Sequence, residues 1–117
     1  MRNFRTFNIW SGAIQVSKTV YQITREFPTH EKYGLCSQMQ RAAVSIASNI
    51  AEGASRKSEV EFARYLEISM GSSFELETQL TISNKLGYIN ETDFNSFLIE
   101  LNTLQKQINQ FITKLKG

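Results

Sequence analysis

Apolar residues recur along this chain in steps of four and three, the spacing that lines one face of an α-helix. Ile9, Ala13, Val16, Val20, Ile23 and Phe27 form the first stripe, which Trp10, Ile14 and Tyr21 widen on one side. Asn8 is the expected N-cap, and Pro28 stops the helix because a residue before proline avoids the α region. Thr29–Gly34 then serves as a connector. A second helix is expected from Leu35 to Ala54, with the apolar row Leu35, Met39, Ala42/Ala43, Ile46 and Ile50. Small residues crowd it (Ala42, Ala43, Ser45, Ala47, Ser48, Ala51, Ala54), which suits a helix packed closely on more than one side. Gly53 stands where a left-handed C-cap is useful.

Ser58-Glu59-Val60-Glu61 fits a capping box that opens a third helix. Its stripe is Phe62, Leu66, Ser69, Ser73, Leu76 and Leu80, with Tyr65, Ile68, Met70 and Phe74 beside or beyond it, and Gly87 closes the segment. Asn90 is placed to cap the last helix, where Phe94, Phe97, Leu101, Leu104, Ile108, Phe111 and Leu115 give the cleanest pattern in the chain. No strand pattern competes. Helices over about 8–27, 35–54, 59–86 and 91–116 joined by short connectors have one economical arrangement, an all-α, antiparallel up-down-up-down four-helix bundle in a single domain. The apolar arcs of the first and third helices are wider than one bundle seam requires, so a second buried surface, and hence a homo-oligomer, is expected.

Composition narrows the chemistry. In 117 residues there is one histidine, one cysteine and one proline. An internal disulfide and a multi-cysteine metal site are excluded. No run is long and apolar enough to span a membrane, and the start of the chain does not read as a signal peptide, so a cytoplasmic protein without a membrane partner is expected. Charge is uneven: residues 1–57 hold eight Lys/Arg against three Glu, residues 58–117 five against eight Asp/Glu. A net +5 facing a net −3 permits an anionic partner or charge pairing between subunits.

Few catalytic constellations survive. His30, in Thr-His-Glu-Lys after Pro28, reads as a solvated loop histidine rather than a general base, since Asp93 is the sole aspartate and a triad has little to draw on. Cys36 falls in the first turn of the second helix, where a helix dipole lowers a thiol pKa, but with no base evident it reads as a small packing residue. Glu75 and Glu77 diverge by about 200° on a helix and cannot share a proton. No Glu-x-x-His repeat supports a di-metal bundle, and no cofactor is expected. A nucleophile, a base and an orienting group cannot be assembled, so the chain does not read as an enzyme.

Two polar features remain. Arg41, Ser45, Ser48 and Glu52 step along one face of the second helix with Asn49 beside them, either as a solvated face or as a groove or subunit contact. Arg56-Lys57, with Arg64 two turns on, makes a basic connector, and Arg41 joins it if the second helix folds back past the third. Either these charges are simply solvated or they meet phosphates; no aromatic pair of an RNA-recognition sheet and no Gly-rich phosphate loop accompanies them.

Residues 41–53, Arg-Ala-Ala-Val-Ser-Ile-Ala-Ser-Asn-Ile-Ala-Glu-Gly, resemble the signature of the four-helix-bundle proteins related to the 23S rRNA intervening-sequence protein. The likeness continues through Ser58, Glu61-Phe62-Ala63-Arg64-Tyr65-Leu66, Gly71-Ser72 and Glu75-Leu76-Glu77-Thr78-Gln79-Leu80, and takes in Phe4-Arg5, Trp10 and Tyr33-Gly34-Leu35. One departure stands out: the family usually carries proline at the position of Ala47, and alanine there is expected to leave the helix straighter. The resemblance implies a bacterial four-helix bundle assembling into a homopentameric ring, with no established enzymatic activity or cofactor and, for many relatives, an unknown role. Some relatives are encoded within intervening sequences of 23S rRNA genes. A distant branch, the accessory variability determinants of diversity-generating retroelements, binds nucleic acid and a reverse transcriptase. The expectation is therefore an oligomeric accessory protein that contacts structured RNA or DNA through Arg41, Arg56, Lys57 and Arg64; the alternative is a structural or protein-interaction ring.

Overall fold

A computed structural model describes residues 2–117. Four helices form where the apolar stripes lie: α1 (Asn8–Thr24), α2 (Leu35–Ala54), α3 (Glu59–Lys85) and α4 (Glu91–Lys116). No strand occurs among the described residues. α1 ends three residues before the expected Phe27. Pro28 denies Phe27 the α region, and the last turn tightens as Glu26 and Phe27 donate to Ile23 and Thr24 carbonyls. Phe27 then turns inward against Tyr88, with ring centroids 5.4 Å apart. A short 3₁₀ turn, Thr29–Glu31, occupies part of the connector.

Three of the five expected helix-end residues, Ser58, Asn90 and Gly87, hold as read. Ser58 Oγ accepts from the Glu61 amide at 3.1 Å and donates to Glu61 Oε1 at 3.2 Å, while Asn90 Oδ1 accepts from the Asp93 amide at 2.8 Å. Gly87, at φ +81°, closes the segment after α3. Asn8 is not a cap: it is the first residue of α1, and Phe7 holds the cap position without a side-chain bond. The chain caps a turn earlier, where Asn3 Oδ1 accepts from the Arg5 amide and opens a 3₁₀ turn over Phe4–Thr6. That frees Phe7 to pack its ring 6.1 Å from Phe62 and 5.1 Å from Phe111. Gly53 is not a left-handed cap either; it is helical, buried within α2, and a Cβ there would lie 2.6 Å from Tyr65 Cβ. Closeness of α2 and α3, not backbone handedness, requires glycine.

Each helix packs on its two neighbours, α1 on α2, α2 on α3, α3 on α4 and α4 on α1; among the described residues the backbones of α1 and α3, and of α2 and α4, do not approach closely, so each pair lies diagonally. The end of α1 meets the start of α2, where Cys36 Sγ donates to the Thr24 carbonyl at 3.5 Å. The core is the set of stripes: Ile9, Val16, Met39, Ile46, Leu66, Leu76, Leu101 and Ile108 are all buried. Ser69 and Ser73 occupy two core positions of α3 as its periodicity demands. Their hydroxyls donate to the Ile46 and Met70 carbonyls at 2.8 and 2.6 Å, so small polar side chains sit there without orphaned bonds. The small-residue face of α2 meets this serine-bearing face of α3.

Candidate functional site

The α2–α3 connector carries the densest positive charge. Its Arg56 guanidinium lies 4.8 Å from the Tyr65 ring centroid, and Nη2 donates to Tyr65 Oη at 2.8 Å and Glu52 Oε1 at 3.2 Å. Stacking plus two bonds holds an otherwise flexible side chain in one place. Arg2 arrives from the far end of the sequence: its Nη1 donates to the Arg56 carbonyl at 2.6 Å, and its guanidinium lies 4.8 Å from the Phe62 centroid. Arg2, Ser55, Arg56 and Lys57 line an open hollow of 590 Å³. Glu52 pairs with Arg56, while among the described residues neither Arg2 nor Lys57 forms an ion pair.

Arg2 was not legible as part of this corner, because 54 residues separate it from Arg56 and no local pattern couples them. Arg41 does not join the corner. It lies fifteen positions before Arg56 on the same side of the connector, about 20 Å away by the helical rise, and lines a separate 320 Å³ hollow with Gln38, Ser45, Glu75 and Gln79. α2 and α3 do pack side by side, but that pairing sets Arg41 beside Glu75 and Gln79, at the far end of α3 from Arg64. Arg64 is exposed on α3, next in sequence to Tyr65.

The polar row on α2 divides. Ser45 Oγ meets Ser72 Oγ at 2.9 Å, and Asn49 Nδ2 donates to the Ser45 carbonyl and hydroxyl at 2.8 and 3.0 Å. Both residues therefore spend hydrogen bonds inside the chain, at the α2–α3 seam. Ser48 is exposed, and Glu52 is engaged with Arg56.

The remaining chemical groups are structural. Glu31 Oε1 accepts from the Leu35 amide at 3.1 Å and Oε2 from Tyr88 Oη at 3.0 Å, tying the α1–α2 connector to the start of α2 and to the α3–α4 connector. The Leu35 amide, then Tyr88, pull the Glu31 carboxyl below its ordinary value, and the same carboxylate raises Tyr88. His30 is exposed, with Nε2 3.4 Å from Tyr88 Oη. Burial, then the Glu31 charge, push the Cys36 thiol up, so it stays protonated and packs, against any activating effect of the helix terminus. Glu77 faces α4, accepting from Asn102 and Gln105, whereas Glu75 points to the Arg41 hollow. Among the described residues no three His, Cys, Asp or Glu side chains come together as a metal site, and no helix is long and apolar enough to cross a membrane.

These observations define a small all-helical, four-helix protein with a cluster of cations at one end of α2. The profile of the 23S rRNA-intervening sequence protein family matches residues 5–110, and the chain belongs to that family. Its fold is similar to the crystal structure of a protein of unknown function from the S23 ribosomal protein family of Bacteroides thetaiotaomicron. The two agree with a TM-score of 0.82 at 19% identity, over 89% of this chain and 97% of that one. No curated protein matches the chain.

Proposed function

We propose that this protein is a non-enzymatic, cytoplasmic accessory protein that assembles into a homopentameric ring of up-down-up-down bundles and associates with structured RNA through backbone contacts. The observation that carries the reading is the preorganised corner of Arg2, Arg56 and Lys57. Arg56 is held by Tyr65 and Glu52, and Arg2 by the Arg56 carbonyl, so both arginines are fixed at the rim of one hollow. Planar guanidinium groups suit phosphate oxygens, and contacts of this kind bind without reading bases. Arg64 extends the surface along α3, and Arg41 supplies a separate contact farther along α2. One corner gives only a few phosphate contacts; repetition around a ring raises the avidity if the corners can engage together. Membership in a family described by 23S rRNA intervening sequences agrees with an RNA ligand.

The test is fluorescence-anisotropy binding to a structured RNA and a matched duplex DNA at low and near-physiological salt, with the mass determined in the same buffers. Micromolar or tighter binding that falls steeply with salt is expected. Arg56→Glu with Lys57→Glu should weaken it regardless of sequence and flatten the log–log salt slope by about two for each corner engaged. Unchanged affinity in that variant would sink the site. A second reading, a scaffold ring whose ligand is another protein, is favoured by the half-exposed isoleucines Ile14, Ile68 and Ile82. A stable oligomer that binds neither nucleic acid, even at low salt, would establish it over the first.

A further inference from the structure

A second hollow lies at the other end of α2, between the end of α1 and the connector that follows it. It encloses 540 Å³, within the range of small-ligand clefts, and its lining includes Tyr21, Thr24, Arg25, Lys32, Tyr33 and Gln40. No acidic side chain lines it. The connector's acids are turned elsewhere: Glu31 to the Leu35 amide and Tyr88, and Glu26 to a separate hollow that it shares with Asp93. Cations and acids of one short segment are thus sorted onto different faces.

Two aromatic rings remain available in this cleft. Phe27 is spent against Tyr88, but Tyr21 is 47% exposed and Tyr33 87% exposed. Lys32 Nζ stands 5.5 Å from the Tyr33 ring centroid, which places a positive charge beside one ring face while most of the ring meets solvent. Beneath them the floor is stitched in place, Gln40 Nε2 donating to Thr24 Oγ1 at 3.1 Å and Thr24 Oγ1 to the Val20 carbonyl at 2.8 Å.

We infer that this cleft binds an unpaired nucleotide of a single strand, its base stacked on Tyr33 and its flanking phosphates met by Arg25 and Lys32. Exposed aromatics interleaved with cations are the means by which proteins hold single strands without reading sequence, since every base presents a π-face. A paired base keeps its faces in the helical stack, so the cleft discriminates against duplex. It is also remote from the Arg56 corner: α2, twenty residues long, separates the two by about 30 Å. The inference rests on the nucleic-acid reading above and divides the labour, with backbone contacts at one end of α2 and an unpaired nucleotide at the other.

The experiment compares a short oligouridylate with an RNA duplex by fluorescence anisotropy, using wild type, Tyr33→Ala, Tyr33→Phe, and Arg56→Glu with Lys57→Glu. Tyr33 is exposed, so neither substitution at it should disturb the core, which circular dichroism of each variant checks. Tyr33→Ala should bind oligouridylate on the order of tenfold more weakly, with duplex affinity unchanged. Tyr33→Phe, which keeps the ring, should match wild type. The same loss is expected on oligothymidylate, because neither the stack nor the phosphate contacts need a 2′-hydroxyl. Full oligouridylate affinity in Tyr33→Ala, with binding weakened in the Arg56/Lys57 variant, overturns the cleft and leaves the nucleic-acid reading standing. Absence of binding by wild type to either probe at low salt overturns the nucleic-acid reading itself, and the cleft's assignment with it.

Discussion

A methyl group at position 53 would have nowhere to go. Its carbon would meet Tyr65 Cβ at 2.6 Å and Phe62 Cδ1 at 3.0 Å, and the Tyr65 contact is made by the rigid root of a side chain rather than by a movable tip. Gly53→Ala is therefore expected to destabilise the protein by about 1–3 kcal/mol, the usual cost of overpacking. Because Tyr65 is the platform for Arg56, the same change should loosen the basic corner and weaken RNA binding. Thermal denaturation reads the first effect and anisotropy the second; a Tm equal to wild type would refute the close-approach argument. A sequence shows that glycine is present but not which of its two properties is in use, handedness or lack of bulk. That is why a cap was the natural expectation at Gly53 and the wrong one, while Gly87, beyond the last periodic residue of α3, was read correctly. Arg56 and Lys57 were legible as adjacent cations. Arg2 was not, and Tyr33 gained meaning only when folding set it beside Tyr21 and Arg25.

At the level of helices, periodicity carried almost everything because a 3.6-residue repeat is a property of sequence alone. Even Ser69 and Ser73 were placed in the core, since their neighbours in the stripe left no other position for them. Ends were less legible: α1 stops where Phe27 must turn inward, a demand set by Tyr88 in another connector. Two carboxylates on these elements make opposite contributions to acid stability. Glu31 is held below its ordinary value of 4.5 by the Leu35 amide and Tyr88, so its stabilisation is present above that value and lost as pH falls through the folded-state pKa. Glu100, between α1 and α4, is raised by burial despite the Thr19 hydroxyl, so it destabilises the fold when ionised and relieves that cost as pH falls through its raised pKa. Glu31→Gln should lower Tm at pH 7, and Glu100→Gln should raise it, with both differences shrinking towards zero in acid. Melting curves between pH 7 and 3 that run parallel for all three proteins would contradict both assignments.

For the molecule as a whole, the question is how the apolar surface left outside the core can be covered. Ile14 on α1 is 45% exposed and Ile68 on α3 46%, and these helices occupy diagonal corners of the bundle. Two distinct apolar faces on opposite sides of one chain favour a head-to-tail contact, the α1 face of one copy against the α3 face of the next. Repetition of such a contact closes into a ring when its rotation allows, whereas a face that pairs with itself stops at a dimer. The difference can be measured by mixing. Ile14→Glu removes one face and keeps the α3 face; Ile68→Glu does the reverse. Each variant alone should sediment as a monomer, because every head-to-tail contact needs both faces. Mixed in equal amounts, they retain one intact α3 face and one intact α1 face, so they should form a heterodimer and stop there. If either variant alone still forms dimers, the surviving face pairs with itself and the head-to-tail arrangement is wrong. The same samples connect assembly to binding: if the basic corners act through avidity, the monomeric variants, with Arg2, Arg56 and Lys57 untouched, should lose RNA affinity and salt sensitivity together.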